Sequence, residues 1–571
     1  MTNNTISIAI TGSGGAGVMT AGQILLKAVA KTGYYGLMAR SLGPQIRGGE
    51  AAALLRFSSE KVENQGDFFN ILIAFDWGNI SRFQGELPLR PETIVIYDPE
   101  GEEVPEFVLK NKPQLFPVPL AEIAKSIEFG RANMVGLGFL SEIIGLNKTF
   151  ISDVLQKSLK KKGEKAFAAA IDCFDKGVEQ AKKSKIALDF HIISKKTGNR
   201  WSITGNEAAG LGAVRGGIKF VAAYPITPAT DILEWLAPNI NKVGGVMVQA
   251  EDELAAIAML IGASFGGKPS LTATSGPGFA LMIEALGLGI ASEIPMVIVD
   301  VQRGGPSTGI PTKSEQSDLN IALYGAHGDA PHLVLAANSP SDCLFTTEWA
   351  TILSENTQCP AIVLSDQFMG QALVIVDEPS VCKSPAKRIT AKNSDKEYLR
   401  YKNTESGISE MSLPGTIGRE YIADGLEHNE KGLPSTEANV HQEQLDKRLR
   451  KLTSYDYGDS WADVEGHGET AIITFGSITG SIREALKASD KQKDFRLISI
   501  RLLYPIQPEK MAKALDGVKR AIIIEQNHMA QLYHFLKGHY DLPSKTRNFA
   551  RTGPLPIKPE EITQIINGKG W

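Results

Sequence analysis

The stretch QAEDELAAIAMLIGASF (249–265) places three consecutive carboxylates, Glu251, Asp252 and Glu253, directly before an almost wholly apolar segment. A segment this apolar is typical of a helix that is apolar on all sides. The acidic run has two interpretations. The dipole of a helix favours acidic side chains in its first turn by about 0.3–1 kcal/mol each, so all three could be solvated. Alternatively, one of them is buried at the start of the helix and takes part in chemistry.

Short apolar runs of strand length lie before and after this segment. They are KFVAAYPI (219–226), LTATS (271–275), MVIVDVQ (296–302) and PAIVLSD (360–366). Strands alternate with helical segments in this way through nearly the whole chain, which predicts an α/β fold with mainly parallel sheets. The predicted organisation is an α/β domain at 1–186, a polar linker at 187–200, an α/β domain at 201–379, an extended connecting segment at 380–468 and an α/β domain at 469–571.

The composition argues against several classes of function. Hydrophobic residues make up 43% of the 571 residues and charged residues 22%, which predicts folded cores and not disorder. The net charge of −4 and the lack of a basic tract with interleaved aromatic residues argue against a nucleic-acid partner. The longest apolar run (279–301) is interrupted by Glu284, Glu293 and Pro295, so we expect no membrane span.

The cysteines and the N-terminal residues predict a cytoplasmic protein. The chain contains Cys173, Cys343, Cys359 and Cys382. Their spacing matches neither a metal site nor an iron–sulfur cluster, so we expect reduced thiols and no metal on this chain. Residues 1–15 lack the basic segment and the long apolar core of a signal peptide.

A glycine-rich loop follows the first predicted strand. Its glycines are Gly12, Gly14, Gly15 and Gly17, which match the pattern G-x-G-x-x-G before a helix. Such a loop lets backbone N–H groups approach a phosphate, but it also forms a tight turn between a strand and a helix. The first 49 residues contain no acidic residue and carry four basic ones, which favours an anionic nucleotide: Lys27, Lys31, Arg40 and Arg47. Arg40 stands where a NAD site needs an acidic residue for the ribose, so NAD is disfavoured.

Several motifs together resemble the 2-oxoacid:ferredoxin oxidoreductases. The stretches GSGGAGVMTAGQILLKA (12–28) and SLGPQIRGGEAAALLRFS (41–58) are similar to the gamma-type domain of that family. YPITP (224–228), AEDELAAIAMLIGAS (250–264) and TATSGPGFALM (272–282) are similar to its thiamine diphosphate pyrimidine-binding domain. The third predicted domain resembles its transketolase-C-like domain through FGSITGSIREAL, RLLYPI and EQNHMAQL. The connecting stretch PGTIGREYIADGLEHNEKGLPS (414–435) is similar to that of 2-oxoglutarate-type members.

The resemblance implies an alpha subunit with a fused gamma domain, most like that of 2-oxoglutarate:ferredoxin oxidoreductase. The implied reaction is the coenzyme A-dependent oxidative decarboxylation of a 2-oxoacid to an acyl-CoA and CO2, with electrons passing to ferredoxin. From 2-oxoglutarate the product is succinyl-CoA, and the reverse reaction is chemically open. Two alternatives stay open, namely a self-contained thiamine diphosphate carboligase and a non-catalytic nucleotide-binding or assembly subunit.

The resemblance also implies roles for individual residues. Glu253 lies nine residues before Gly262, the spacing of the glutamate that hydrogen-bonds N1′ of thiamine diphosphate. Thr227 is implied to meet the 2-oxoacid, and Arg303 to bind a substrate carboxylate through parallel hydrogen bonds. A structural bend at YPITP and a surface arginine are the alternatives for these two. Further cofactor contacts are implied at four positions, namely Tyr224, Pro225, Ser275 and Gly276.

A missing motif implies a partner. Thiamine diphosphate is usually held through Mg²⁺ by a GDG motif, which this chain lacks, since Gly328-Asp329 is followed by Ala330. The resemblance implies a beta subunit that carries Mg²⁺ and a [4Fe-4S] cluster and shares the thiamine diphosphate. It also implies that coenzyme A contacts the glycine-rich loop, Arg40 and Arg47, and that the assembly is a dimer of alpha–beta heterodimers.

Overall fold

A computed structural model describes residues 5–42, 50–78, 80–159, 163–194, 199–380, 386–394 and 396–568. Two compact units are present. The first unit consists of Met1–Thr204, Gln371–Ser380 and Lys558–Glu561, and the second of Gly205–Gly370, Val381–Ile557 and Ile562–Trp571.

The strands and helices are numbered in chain order. The strands are β1 (Thr5–Ser13), β2 (Tyr35–Leu42), β3 (Glu50–Ser58), β4 (Ile71–Ala74), β5 (Ile94–Tyr97), β6 (Gln114–Pro117), β7 (Arg200–Thr204), β8 (Phe220–Ala223), β9 (Val246–Gln249), β10 (Ser270–Thr274), β11 (Val297–Gln302), β12 (Leu333–Ala336), β13 (Ala361–Asp366), β14 (Leu373–Asp377), β15 (Ala462–Glu465), β16 (Thr470–Thr474), β17 (Phe495–Ile500), β18 (Leu502–Tyr504), β19 (Arg520–Glu525) and β20 (Lys545–Ala550). The helices are α1 (Val18–Ala30), α2 (Glu106–Leu109), α3 (Leu120–Lys125), α4 (Ala132–Ile143), α5 (Lys148–Leu159), α6 (Glu164–Ser184), α7 (Gly205–Gly216), α8 (Thr230–Leu236), α9 (Glu253–Phe265), α10 (Gly276–Ala291), α11 (Leu319–Tyr324), α12 (Asp342–Thr357), α13 (Gln367–Gln371), α14 (Ala438–Thr453), α15 (Ile478–Ala488), α16 (Pro508–Ala514), α17 (Gln531–His539) and α18 (Pro559–Asn567).

The first unit is built on an eight-stranded sheet with the order β6-β5-β4-β1-β3-β2-β14-β7. Its pairs from β6 to β1 are parallel, and those from β1 to β7 are antiparallel. Helices α4 and α6 approach each other closely at Gly138 and Gly177, where a Cβ atom would overlap the backbone of the facing helix. Glycine is therefore required at both crossing points.

The second unit contains the other two sheets. The seven-stranded sheet has the order β18-β12-β13-β11-β10-β8-β9 and is parallel except at β18. The five-stranded sheet has the order β15-β17-β16-β19-β20 and is parallel except at β15. The predicted α/β fold with mainly parallel sheets is confirmed, while the predicted domain boundaries stay a prediction. Within the described ranges, no helix has the length and apolar composition needed to cross a membrane.

The connecting segment is anchored by a buried ionic cluster. Helix α14 of this segment supplies Lys447 and Lys451, whose ammonium groups lie 2.5 and 3.1 Å from the two carboxylate oxygens of Glu293. Arg400 donates a hydrogen bond of 2.9 Å to the backbone carbonyl of Glu293. All four side chains are almost completely buried. Because one carboxylate faces three cations, its pKa is held well below the usual range against the opposing effect of burial.

Candidate active site

Four neighbouring parallel strands carry the predicted site residues to one edge of the seven-stranded sheet. The order β11-β10-β8-β9 puts the carboxyl ends of these strands side by side. Arg303 follows β11, Ser275 follows β10, YPITP follows β8, and the acidic run follows β9. The carboxyl edge of a parallel sheet is the usual place for a ligand site in α/β proteins.

The three carboxylates of the opening stretch have different environments. Glu251 and Asp252 are exposed, whereas Glu253 is only 7% exposed. Asp252 caps α9, because its Oδ1 accepts a hydrogen bond of 2.7 Å from the backbone N–H of Ala255. Only Glu253 of the three therefore has the burial that the chemical interpretation requires.

Glu253 lies against Gly278 in the first turn of α10. Its Oε1 is 2.5 Å from the position that a Cβ atom would occupy on Gly278, so any larger residue would displace the carboxylate. No hydrogen bond or ion pair to the Glu253 carboxylate forms within the part of the chain that the structure describes. A carboxylate placed in this way is available to a ligand.

Ser275 occupies the N-cap position of α10, but its side chain makes no capping hydrogen bond to the helix. The residue is completely buried, and its Oγ has no hydrogen-bond partner among the described residues. Gly276, the next residue, lies against the Asp318 carboxyl group, whose Oδ2 is 2.7 Å from the position of a Cβ atom. The two glycines of SGPG thus each make room for one carboxyl group.

Arg303 ties the YPITP loop to the end of β11. It is 7% exposed, and its Nη1 donates a hydrogen bond of 2.6 Å to the backbone carbonyl of Thr227. Tyr224 and Thr227 are exposed, and Pro225 is partly exposed. Burial lowers the pKa of Arg303, while Asp318 and Asp300 oppose this shift. The arginine is therefore a buried group that positions the loop, and the alternative of a surface arginine is wrong. Its role as a carboxylate ligand stays a prediction.

Sequence reasoning missed the pair of carboxyl groups beside Arg303. Asp300 is completely buried in β11, and its side chain lies against that of Asp318 with no N–H donor to either of its oxygens among the described residues. Burial raises the pKa of Asp300 well above its ordinary value, and the nearby Asp318 raises it further. Burial also raises the pKa of Asp318 to about 6, although the hydrogen bond from Asp300 and the charge of Arg303 lower it. The signal was an acidic residue inside the apolar run MVIVDVQ, since an aspartate is rarely buried without a partner.

The loop that carries Asp318 is held by residues of the motif EQNHMAQL. Gln526 donates its backbone N–H to Oε1 of Gln316 at 2.9 Å, and Gln316 in turn donates to the carbonyl of Phe475 at 2.7 Å. Gln531 donates to the carbonyl of Ser317, also at 2.9 Å. Residues far along the chain thus fix the position of Asp318 next to Gly276.

One side of α9 is open to solvent in this chain. Leu254 and Met259 are 56% and 39% exposed, and Leu281 on α10 is 51% exposed. Gly262 is also exposed, with no atom within 4 Å of the position of a Cβ atom. The apolar helix α9 is therefore not covered on all sides by the described residues of this chain. An exposed apolar surface of this kind is typical of a protein–protein contact.

The glycine-rich loop lies in the first unit and is partly occupied by the chain itself. The Asp76 carboxylate accepts hydrogen bonds of 2.8 and 3.0 Å from the backbone N–H of Ser13, and one of 2.8 Å from its hydroxyl. Gly17 has a φ of 85° and packs on the side chain of Asn133, so glycine is needed there for the turn. These contacts give the loop a structural role as a tight turn between β1 and α1.

The other members of the predicted nucleotide site have separate positions. Gly14 and Gly15 are exposed, and Gly12 packs against Ala16 and Val18. Arg40 lies in β2, paired with Ala53 of β3. Arg47 and Cys382 fall outside the described residues, while the other three cysteines are buried and form no disulfide. The coenzyme A contacts stay a prediction.

Comparisons with known proteins agree on one family. A family profile described as "Pyruvate flavodoxin/ferredoxin oxidoreductase, thiamine diP-bdg" matches residues 211–447, and one described as "Pyruvate ferredoxin/flavodoxin oxidoreductase" matches residues 7–180. The chain is 31% identical to a 2-oxoacid:ferredoxin oxidoreductase subunit alpha of Sulfolobus sp, over 98% of this chain and 96% of the relative. It is 33% identical to the 2-oxoglutarate synthase subunit KorA of Methanothermobacter marburgensis, over 64% of this chain and 98% of the relative.

A solved structure is similar over nearly the full length. It is the 2-oxoglutarate:ferredoxin oxidoreductase from Magnetococcus marinus with 2-oxoglutarate, coenzyme A and succinyl-CoA bound. The TM-score is 0.92 and the sequence identity 36%, over 99% of each chain.

Proposed function

The chain belongs to the 2-oxoacid:ferredoxin oxidoreductase family, as an alpha-type subunit with a fused gamma-type region, and on this premise we propose that it acts on 2-oxoglutarate together with a beta subunit. The proposed reaction is oxidative decarboxylation with coenzyme A to succinyl-CoA and CO2, with electrons passing to ferredoxin. The observation that carries the proposal is the buried Glu253 carboxylate, which lies on Gly278 without a partner among the described residues. The ligands of the similar solved structure support the choice of substrate.

The residues at the sheet edge fit the aminopyrimidine end of thiamine diphosphate. When bound, thiamine diphosphate would supply a nucleophilic carbon and an electron sink for decarboxylation of the 2-oxoacid. Glu253 would hydrogen-bond N1′ and hold a proton there, which is the role of a buried acid in sites of this kind. Ser275 offers a buried hydroxyl whose hydrogen-bonding capacity is unused within the described residues.

Arg303 and the YPITP loop would receive the 2-oxoacid. A guanidinium binds a carboxylate through charge-assisted hydrogen bonds, and burial strengthens them because water is excluded. The bond from Arg303 to the Thr227 carbonyl orders the loop on which the exposed Thr227 hydroxyl is carried. Substrate binding and loop position are therefore coupled through one side chain.

The exposed apolar side of α9 and α10 supports a partner subunit at the site. Leu254 is exposed and the adjacent Glu253 is buried. A partner that covers Leu254 would therefore also close off the surroundings of Glu253. We propose that this partner is the beta subunit, which brings Mg²⁺, the diphosphate contacts and the [4Fe-4S] cluster. The assembly would then be a dimer of alpha–beta heterodimers, and its first unit would contact coenzyme A.

Reconstitution with the beta subunit tests the proposal. The purified complex should reduce ferredoxin only when 2-oxoglutarate and coenzyme A are both present, whereas the single chain should be inactive. Arg40→Ala or Arg47→Ala should raise the apparent constant for coenzyme A more than that for 2-oxoglutarate. Stoichiometric iron and sulfide in the single chain, or turnover by it, would contradict the division of roles between subunits.

A further inference from the structure

The carboxyl groups of Asp300 and Asp318 form a pair that the proposed reaction leaves without a role. Asp300 is completely buried, and within the described residues neither of its oxygens accepts a hydrogen bond from an N–H or O–H donor. Its side chain contacts that of Asp318 instead. Two carboxyl groups can hydrogen-bond only when one of them holds a proton. The pair therefore shares a proton in the folded chain.

The charged groups around this pair are few. Arg303 attracts both carboxyl groups, and Glu315 repels Asp318. On the other side, Asp318 lies on Gly276 in the first turn of α10, two residues before the Gly278 that Glu253 contacts. With Asp300 protonated and Asp318 ionised, the negative charge of the pair offsets the positive charge of Arg303. Arg303 and Asp318 therefore balance each other before any ligand enters.

A substrate carboxylate at Arg303 would upset this balance. The guanidinium would then face two anions, the ligand and Asp318, in a place with little water to screen them. Asp300 already holds the shared proton, so Asp318 is the carboxylate of the pair that remains ionised. Asp318 is therefore the group that can take up a second proton. Its Oδ2 is buried without a hydrogen-bond donor among the described residues, while the residue as a whole is partly exposed. A proton from solvent can therefore reach it.

We propose that the Asp300–Asp318 pair takes up one proton when a substrate carboxylate binds at Arg303. The inference rests on the proposed function, because it needs a carboxylate at this arginine. Before binding, Arg303 is positive, Asp318 negative and Asp300 neutral. After binding, the ligand carboxylate pairs with Arg303, and Asp318 is neutralised by a proton taken from solvent. The incoming negative charge and the incoming proton cancel, so the buried site keeps its net charge.

Calorimetry of ligand binding counts this proton directly. The probe is glutarate, a dicarboxylate without a reactive oxo group, titrated into the complex of this chain with its beta subunit. HEPES and Tris have different ionisation enthalpies. The binding enthalpies observed in the two buffers at pH 7.5 therefore differ in proportion to the number of protons taken up. We expect roughly half to one proton at pH 7.5 and a clearly smaller number at pH 5.5, where Asp318 is already mostly protonated.

The affinity provides a second readout that a merely structural role would not change. Glutarate should bind more tightly as the pH falls from 8 to 6, by at most about tenfold per pH unit. Asp318→Asn should remove both the proton uptake and the pH dependence while glutarate still binds. Asp329→Asn, at an exposed position, should behave like the wild type.

The outcomes separate this inference from the function on which it rests. Binding that is lost in Arg303→Gln but involves no proton uptake in the wild type would overturn the inference and leave the role of Arg303 standing. Absence of binding, or binding that Arg303→Gln does not weaken, would overturn that role and the inference with it. If Asp318→Asn does not fold, the wild-type proton counts at pH 7.5 and 5.5 decide alone, because uptake that does not fall at pH 5.5 would contradict a group titrating near pH 6.

Discussion

Oε1 of Glu253 lies 2.5 Å from the place where Gly278 would carry a Cβ atom. A glycine in the first turn of α10 thus creates the space in which the Glu253 carboxylate of α9 is held. The same helix start makes room for Asp318 at Gly276. The two glycines of SGPG are needed because a carboxyl group packs on each of them, and not only because the chain turns there.

Gly278→Ala should disturb the site because its new methyl group would overlap Glu253 and Thr274 Oγ1. Overpacking of this kind costs typically about 1–3 kcal/mol, and relief by moving Glu253 would weaken thiamine diphosphate binding. The control is Gly538→Ala in α17, where a Cβ atom would meet open space. Cofactor binding by the complex and the Tm of both variants check this prediction. Equal behaviour of the two variants would contradict the packing argument.

Arg303→Gln should weaken 2-oxoglutarate binding. Loss of a charge-assisted contact of about 1.5–3 kcal/mol corresponds to roughly 10- to 150-fold in apparent affinity. Arg483→Gln is the control, since Arg483 forms an ion pair with Glu465 on the surface of α15. The measurement is the 2-oxoglutarate dependence of ferredoxin reduction by the complex. A dependence unchanged in Arg303→Gln would remove the assignment.

Glu293→Gln should destabilise the second unit. The substitution leaves Lys447, Lys451 and Arg400 buried without their anion, and breaking a buried ion pair from one side costs about 3–5 kcal/mol. Thermal unfolding followed by circular dichroism should show a lower Tm than for the wild type. Glu251→Gln, at an exposed position, should unfold like the wild type. A matching Tm for both variants would show that the cluster does not hold the connecting segment.

Asp318→Asn should change how stability depends on pH. The pKa of Asp318 is raised from 3.8 to about 6 in the folded chain, so the folded state binds more protons than the unfolded state between these values. The stability from this group is complete below pH 3.8 and is lost as the pH rises through 6. Asparagine carries no charge and avoids that loss, so the gain in Tm over the wild type should be larger at pH 8 than at pH 5. A gain that is equal at both pH values would contradict the buried titration.

The positions of site residues were predictable where the local sequence pattern sets them. Ser275 and Arg303 each lie at the end of an apolar run of strand length, and parallel strands bring those ends to one edge. Glu253 was singled out by its nine-residue spacing to Gly262, which the family resemblance made meaningful. Asp300 and Asp318 were missed because their contact joins a strand to a loop that distant residues hold in place. The bond from Gln531 to Ser317 crosses more than two hundred residues of sequence, and no local pattern indicates it.

Solvent exposure of α9 was also beyond sequence reasoning. Its residues are apolar around the whole circumference, so the periodicity does not distinguish the side that meets Gly278 from the side that carries Leu254 and Met259. The difference arises from which neighbours this chain supplies. An apolar composition predicts that a helix is buried, but it does not indicate whether the residues that bury it belong to the same chain.

The central claim is that Glu253, and not Glu251 or Asp252, acts on thiamine diphosphate. Glu253→Gln keeps the size of the side chain and can still hydrogen-bond N1′, but it cannot give or take the proton there. Asp252→Asn keeps a residue able to cap α9, so it and Glu251→Gln serve as controls. The measurement is hydrogen–deuterium exchange at C2 of thiamine diphosphate bound to the assembled complex. Exchange should fall by orders of magnitude in Glu253→Gln and stay near the wild-type rate in both controls, whereas a wild-type rate in Glu253→Gln with the cofactor bound would contradict the account.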